Sequence, residues 1–266
     1  MMINAQQSVQ LLGTRGTMPC AGPEYQRYGG DSICVQVNMA NRLLLLDAGT
    51  GLIAAPVSHR ADILLSHAHM DHLLGLTSYP GIFQTNSEVH IYACPHEGRF
   101  AYGQIKTLLK RPYWSVDIGA QFKNTALHDI KTSSFDIGKV HVEVMEGDHP
   151  GGSTIYRLSH EDVSVVYAID FEHGEKSGEL AAFAKDCTLL LYDAQYTDEE
   201  YESKKGCGHS TWEQGVLMGE RANARETVLI HHAPGRTDAQ LDRIQAQIRE
   251  RTARCRLGYA RETILL

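Results

Sequence analysis

The sequence predicts an α/β fold in which two β-sheets pack face to face with helices on the outside. The first half of the chain is rich in short apolar strands, the second half mixes strands with helices, and several strands end in His or Asp. The chain has 266 residues, of which 42% are hydrophobic and 21% charged, an ordinary globular composition. We expect a single domain over residues 1–266.

Short apolar runs bounded by turn residues indicate the strands of the first half. The continuous run "LLLL" ahead of Asp47 is typical of a strand that is buried on both faces. The predicted strands are Ser8–Leu12, Ser32–Val37, Arg42–Leu46, Asp62–Leu65 and Glu88–Ala93, with a short helix at Gly49–Val57.

Strands and helices are mixed in the second half of the chain. Apolar residues at helical spacing support the last helix, which carries Leu241, Ile244 and Ile248 on one face. The predicted strands are Lys139–Met145, Thr154–Leu158, Val163–Ile169, Thr188–Tyr192, Thr227–Ile230 and Thr263–Leu266. The predicted helices are Gly178–Ala184, Thr211–Arg221 and Asp238–Arg251.

Charge and composition restrict the partners that we expect. The net charge is −7, whereas proteins that grip long nucleic acid usually carry a basic face, so we do not expect a nucleic-acid partner. No apolar run approaches the roughly 18 residues that a membrane span needs, and the N-terminus lacks the pattern of a signal peptide. Six cysteines without a C-x-x-C pair indicate reduced thiols, and we expect a cytoplasmic protein.

The stretch "SHAHMDHLLG" places His67, His69, Asp71 and His72 directly after a buried strand. Residues at this spacing cannot share one face of a helix or strand, but a loop can wrap them around a cation. Neutral imidazole and carboxylate are good ligands for zinc and similar divalent ions. The stretch therefore predicts a metal site.

These motifs resemble the metallo-β-lactamase superfamily. H-x-H-x-D-H is similar to its signature, and "LLLLDAGTG", "GDHPGGSTIYRL", "VVYAIDFEH" and "TVLIHHAPGRTD" resemble its other motifs in order. The resemblance covers nearly the whole chain and implies a four-layer αββα sandwich that holds two divalent metal ions. It implies His67, His69 and His149 for the first ion, Asp71, His72 and His231 for the second, Asp170 between the ions, and Asp47 orienting the ligands. We expect zinc, with manganese or iron as alternatives.

The pair His231–His232 is ambiguous, because strand alternation points only one of the two side chains inward. Alignment on the family motif favours His231 as the ligand. His232 is left either in a supporting role or in contact with solvent.

The stretch "GHST" indicates the branch of the superfamily. Gly208-His209-Ser210-Thr211 precedes a helix and resembles the motif of the phosphodiesterase branch, which includes transfer-RNA 3′-processing endonucleases and cyclic-nucleotide phosphodiesterases. That resemblance implies attack on phosphorus by a hydroxide that bridges the metals, oriented by Asp71, with His209 as general acid. The same residues also fit an ordinary helix N-cap at Ser210 or Thr211, and the two interpretations are compatible.

The substrate is expected to be a small phosphodiester. Asp170 lies only 21 positions after His149, which leaves no room for the long arm that RNA-processing members carry there. A cyclic nucleotide or cyclic sugar phosphate is the first expectation. A thioester or lactone hydrolase and an RNase Z-like endoribonuclease remain alternatives.

The segment Pro95–Ala120 combines aromatic and basic residues. It suits either contact with a base and phosphate, or a packed lid or dimer contact, since relatives are often homodimers. The residues concerned are Arg99, Tyr102, Lys106, Lys110, Arg111, Tyr113 and Trp114.

Overall fold

Two seven-stranded sheets stack face to face in the computed structural model, which describes residues 6–115 and 123–266. The first sheet has the order β14-β1-β2-β3-β4-β5-β6, and its strands from β3 to β6 run parallel. These strands are β1 (Ser8–Gly13), β2 (Cys34–Met39), β3 (Arg42–Leu46), β4 (Arg60–Leu65), β5 (Glu88–Ala93), β6 (Thr125–Asp129) and β14 (Thr263–Leu265).

The second sheet has the order β13-β12-β11-β10-β9-β8-β7. Its strands from β10 to β13 run parallel, whereas β7 to β10 form antiparallel pairs. These strands are β7 (Ser134–Ile137), β8 (Val140–Gly147), β9 (Ser153–His160), β10 (Val163–Ala168), β11 (Leu189–Asp193), β12 (Glu226–Ile230) and β13 (Cys255–Leu257).

Helices cover the outer faces of both sheets. The α-helices are α1 (Pro80–Phe83), α2 (Ala101–Leu108), α3 (Ser177–Phe183), α4 (Asp198–Tyr201), α5 (Trp212–Arg221) and α6 (Asp238–Arg251). Short 3-10 helices are Pro23–Tyr25, Thr50–Ala54, Met70–His72 and Leu74–Thr77. The longest helix, α6, begins with a capping box in which Thr237 and Gln240 satisfy each other's backbone N–H groups.

Three apolar layers hold the architecture together. Successive side chains of a strand point to opposite faces of its sheet. Those of Leu44 and Val165 point into the core between the two sheets. Ile63 lies in the layer that packs helices onto the first sheet, and Leu190 with Trp212 lies in the layer outside the second sheet. The order of layers is therefore helix, sheet, sheet, helix, which confirms the predicted α/β four-layer sandwich.

Most predicted strands and helices are present with shifted ends, but some elements differ. The helix predicted at Gly49–Val57 is a 3-10 helix over Thr50–Ala54. Patterning missed β6, β7 and β13 and the helices α1, α2 and α4, because these elements are short and several of them are mostly polar. That a single domain spans residues 1–266 stays a prediction.

None of the helices in residues 6–115 and 123–266 combines the length and apolar character that crossing a bilayer requires. The cytoplasmic location stays a prediction.

Candidate metal centre

Polar side chains from both sheets converge where the parallel strands end. Asp47 follows β3, His67 follows β4, Asp170 follows β10 and His231 follows β12. All seven predicted ligands lie in this cluster, in groups whose donor atoms are within 4.8 Å of one another. A rigid pair of sheets thus positions loops that carry the candidate chemistry.

His67, His69 and His149 form the first group of three imidazoles. His149 Nε2 lies 3.1 Å from His69 Nδ1. The ring centroid of His67 is 4.4 Å from that of His69 and 4.8 Å from that of His149. Burial lowers the pKa of all three side chains, which favours the neutral imidazole that binds metals.

Asp71, His72 and His231 form the second group. Asp71 Oδ2 lies 3.3 Å from His72 Nε2 and 3.6 Å from His231 Nε2. The backbone N–H of Thr17 donates to the same carboxylate at 2.7 Å and fixes its orientation. The second group is therefore hydrogen-bonded to the loop that follows β1.

Asp170 lies between the two groups. Its Oδ2 is 3.0 Å from His72 Nε2 and 3.3 Å from His231 Nε2, whereas its Oδ1 is 3.7 Å from His149 Nε2. One carboxylate therefore faces both groups, and its role between two ions stays a prediction.

Asp47 orients the ligands from behind. Its Oδ2 accepts hydrogen bonds from His72 Nδ1 at 2.8 Å, Ser66 Oγ at 2.8 Å and Tyr167 Oη at 2.7 Å. His149 Nδ1 donates to the carbonyl of Gly208 at 2.8 Å. Both bonds place the proton on Nδ1 and leave the Nε2 lone pair of His72 and of His149 directed into the centre.

Asp193 is a site residue that the sequence reasoning missed. It ends β11, and its Oδ2 lies 3.0 Å from His209 Nδ1 and 3.2 Å from His231 Nδ1. The signal was available, because "LLLYD" is another buried strand that ends in a carboxylate. Two backbone N–H groups hold it in place, since Ser210 N and Gln195 N donate to Oδ1.

His209 is buried at the edge of the centre, with 8% of its surface exposed. Its Nδ1 donates to Asp193, which leaves Nε2 as the nitrogen available to a substrate. Thr211 is the N-cap of α5, where its Oγ1 accepts from Gln214 N at 3.1 Å. The cap and the histidine therefore coexist, as the sequence allowed.

Buried atoms that lack hydrogen-bond partners test whether the cluster fits metal ions. His67 Nε2, His72 Nε2, His231 Nε2 and Asp170 Oδ2 are such atoms, although they converge on one volume. Four carboxylates, those of Asp47, Asp71, Asp170 and Asp193, are also buried here. Burying this much negative charge without cations is unfavourable, so the donor set fits divalent metal ions.

The pKa values of His231 and His72 also indicate that the buried carboxylates favour positive charge at this centre. Burial works against protonation of His231, but the carboxylates of Asp170 and Asp193 raise its pKa to about 10. Burial likewise opposes the charge on His72, whereas Asp71, Asp47 and Asp170 raise its pKa. A divalent ion would supply this charge in place of the protons.

His232 has neither of the roles left open for it. The side chain is fully buried and points away from the centre. Its Nε2 lies 2.9 Å from the carbonyl oxygen of Gly258. Its ring meets Tyr28 edge-on, and burial lowers its pKa to about 3. His232 is therefore a neutral packing residue, and His231 is the inward-facing member of the pair.

The segment Pro95–Ala120 forms one wall of a cavity beside the centre, as far as it is described; residues 116–120 lie outside the described residues. Trp114 is half-buried against the outer layer of the first sheet, whereas Tyr102 and Tyr113 are exposed. Of its four basic residues, Arg99 lines the cavity.

Three comparisons relate the chain to known proteins. The family model described as the β-lactamase superfamily domain matches residues 42–232. Ribonuclease Z from Myxococcus xanthus is 23% identical over 256 residues, which cover 78% of this chain and 83% of the relative. Because that relative is named a ribonuclease, the expectation that nucleic acid is an unlikely partner has no support from this comparison.

Solved structures share the fold over nearly the whole chain. The metallo-β-lactamase fold protein YhfI from Bacillus subtilis superposes with a TM-score of 0.74 at 16% identity, covering 97% of this chain and 98% of that one. A diphosphatase of the PhnP family gives a TM-score of 0.72 at 17% identity, with 98% of each chain covered. At these identities the likeness concerns the fold.

Proposed function

Since the chain belongs to the β-lactamase superfamily and is a hydrolase, we propose that it is a phosphodiesterase with two divalent metal ions. The proposed substrate is a small phosphodiester such as a cyclic nucleotide or a cyclic sugar phosphate. The observation that carries the choice of phosphodiester hydrolysis is the position of His209. Its Nδ1 is 3.0 Å from Asp193 Oδ2 at the edge of the candidate metal centre. A buried histidine held by a carboxylate is suited to protonate a leaving alkoxide.

The seven ligands have distinct proposed roles. His67, His69 and His149 would hold one ion, Asp71, His72 and His231 would hold the other, and Asp170 would serve both. When bound, the two ions activate water and neutralise charge on the phosphoryl oxygens. Histidine with carboxylate favours zinc, and manganese or iron suits the same donors.

His209 and Asp193 perform the proton transfer in this proposal. The carboxylate of Asp193 accepts the hydrogen bond from Nδ1 and fixes the ring, so that Nε2 carries the proton that passes to the leaving oxygen. Asp71, anchored by Thr17, keeps its second role of orienting the attacking water.

RNA is the second candidate substrate, because a curated relative is named ribonuclease Z. Against a large RNA stands the interval between His149 and Asp170. The strands β9 and β10 occupy most of it, joined by Glu161 and Asp162, so the interval forms a tight hairpin. The small phosphodiester therefore remains the first proposal.

A substrate panel tests the proposal with the zinc- or manganese-loaded full chain. The panel comprises bis(p-nitrophenyl) phosphate, cyclic nucleotides, a transfer-RNA precursor and an acyl thioester or lactone. We expect turnover of the phosphodiesters and its loss after chelation. Cleavage of the precursor alone would select the ribonuclease alternative, and hydrolysis of the thioester or lactone alone would select the other hydrolase class.

A further inference from the structure

We infer that the cavity beside the metal centre binds a hydrocarbon ester group, alkyl or aryl, of the phosphodiester substrate. This inference rests on the proposed function, because it requires the phosphate to lie at the metal centre. Among small phosphodiesters it favours those with a hydrocarbon ester group over cyclic nucleotides and cyclic sugar phosphates. The cavity has a volume of about 680 Å³, and His67 and His69 form part of its wall. A group attached to a phosphate at the centre can therefore enter it directly.

Apolar side chains from three segments line the cavity. Met70 and Leu74 come from the 3-10 turns that follow the histidine motif, Leu108 and Trp114 come from α2 and the turn after it, and Pro150 follows His149. A concave, mainly carbon surface next to a polar centre is typical of a small-molecule site.

Three polar side chains in the wall have already used their hydrogen-bond donors within the protein. Gln104 Nε2 donates to Cys94 O at 2.7 Å and to Arg99 O at 2.9 Å. Thr107 Oγ1 donates to Gly103 O at 2.9 Å, and Thr77 Oγ1 donates to the backbone of its own turn at 2.6 Å. A sugar hydroxyl or base edge placed here would lose water without gaining these donors, which is unfavourable.

Charge is confined to the rim of the cavity. Among the described lining residues other than histidine, Glu97 and Arg99 are the charged ones, and both are exposed. His96 is held by its Nε2, 3.1 Å from Ser66 O, and burial lowers its pKa, so it forms a neutral part of the wall. Lys110 and Arg111 do not line the cavity, which argues against a base-and-phosphate site in this segment.

Binding of alkylphosphonates to the metal-loaded full chain tests the inference by calorimetry. A phosphonate has one substituent, so that substituent either enters the cavity or stays in solvent. From methyl- to butyl- to hexylphosphonate we expect Kd to fall by about fourfold for each methylene, the ratio that full burial of the group supplies. The 2-methoxyethyl analogue, which matches butyl in length, should lose most of this gain.

A matched pair of variants locates the effect. Leu108→Gln places a polar group in the cavity wall on α2, whereas Leu217→Gln makes the same change on the exposed face of α5. We expect Leu108→Gln to flatten the dependence on chain length while methylphosphonate binds as before. Leu217→Gln should preserve the wild-type dependence.

The outcomes separate this inference from the proposed function. Unchanged affinity from methyl to hexyl, with methylphosphonate bound and phosphodiesters hydrolysed, would overturn the cavity inference and leave the proposed function standing. An equal loss in both leucine variants would also overturn it. Absence of both methylphosphonate binding and phosphodiester turnover would overturn the proposed function and this inference with it.

Discussion

The carboxylate of Asp193 lies 3.0 Å from Nδ1 of His209, and the same oxygen lies 3.2 Å from Nδ1 of His231. One side chain at the end of β11 thus connects the proposed general acid to a proposed metal ligand. The backbone N–H of Asp170 also donates to this oxygen at 3.1 Å, so Asp193 contacts three parts of the site.

Asp193→Asn is expected to lower both catalysis and metal affinity. The amide keeps the shape but removes the charge that orients and stabilises both imidazoles, so we expect kcat/KM to fall by at least about 10²-fold. Metal affinity should fall by about 10- to 100-fold, as for other groups that support ligands. Steady-state kinetics and metal titration measure the two effects.

The surface pair Asp136–His141 provides the control for this variant. His141 Nδ1 lies 2.7 Å from Asp136 Oδ1, and both side chains are exposed. Asp136→Asn should leave kinetics and metal affinity unchanged. Equal behaviour of the two variants would contradict the role of Asp193.

Gly208 is expected to tolerate no side chain. A Cβ there would lie 2.1 Å from His149 Nδ1, and the residue has a φ of +83°. Gly206 has the same φ, but nothing lies within 4 Å of its Cβ position. Gly206→Ala should therefore cost about 1 kcal/mol of unfolding free energy with activity kept, whereas Gly208→Ala should also displace His149 and abolish tight metal binding.

Urea unfolding and metal titration distinguish these two glycine variants. The backbone penalty is common to both, so a difference between them reports the contact with His149. Wild-type metal affinity in Gly208→Ala would contradict the geometry described for the first group.

Metal removal is expected to destabilise the folded protein. Each ion that binds only the native state adds about 2.7 kcal/mol when its free concentration is 100-fold above Kd. For two ions and a chain of this size, that corresponds to a fall in Tm of about 10–20 °C after chelation. Calorimetric scans before and after dialysis against a chelator measure it, and readdition of zinc should restore the original Tm with two ions bound per chain.

Strand ends account for what the sequence could predict of the site. Asp47, His67, Asp170 and His231 each follow a continuous apolar run, and parallel strands bring such ends together. His149 follows an antiparallel strand, so only the family resemblance indicated it. Asp193 was missed because a lone carboxylate after a strand is common in proteins without a site.

Local backbone geometry could not be read from the sequence. Asp47, Asp170 and His231 leave their strands with φ values of +59°, +54° and +65°. Residues other than glycine seldom adopt this left-handed conformation, which costs on the order of 1–3 kcal/mol each and persists only where surrounding contacts enforce it. The sequence singled out the segment Pro95–Ala120, but the helix α2 within it was likewise missed, because α2 is short and its burial depends on packing against the first sheet.

The dependence of His209→Ala on the leaving group tests the phosphodiesterase proposal most directly. Metal-loaded wild type and variant would hydrolyse diesters that share one retained group and release either p-nitrophenolate, a good leaving group, or phenolate, a poor one. A general acid matters most for the poor leaving group, so we predict a loss of kcat/KM of about 10²- to 10⁴-fold with the phenyl ester and a much smaller loss with the p-nitrophenyl ester. Equal rates for variant and wild type with the phenyl ester, at equal metal content, would contradict the proposal.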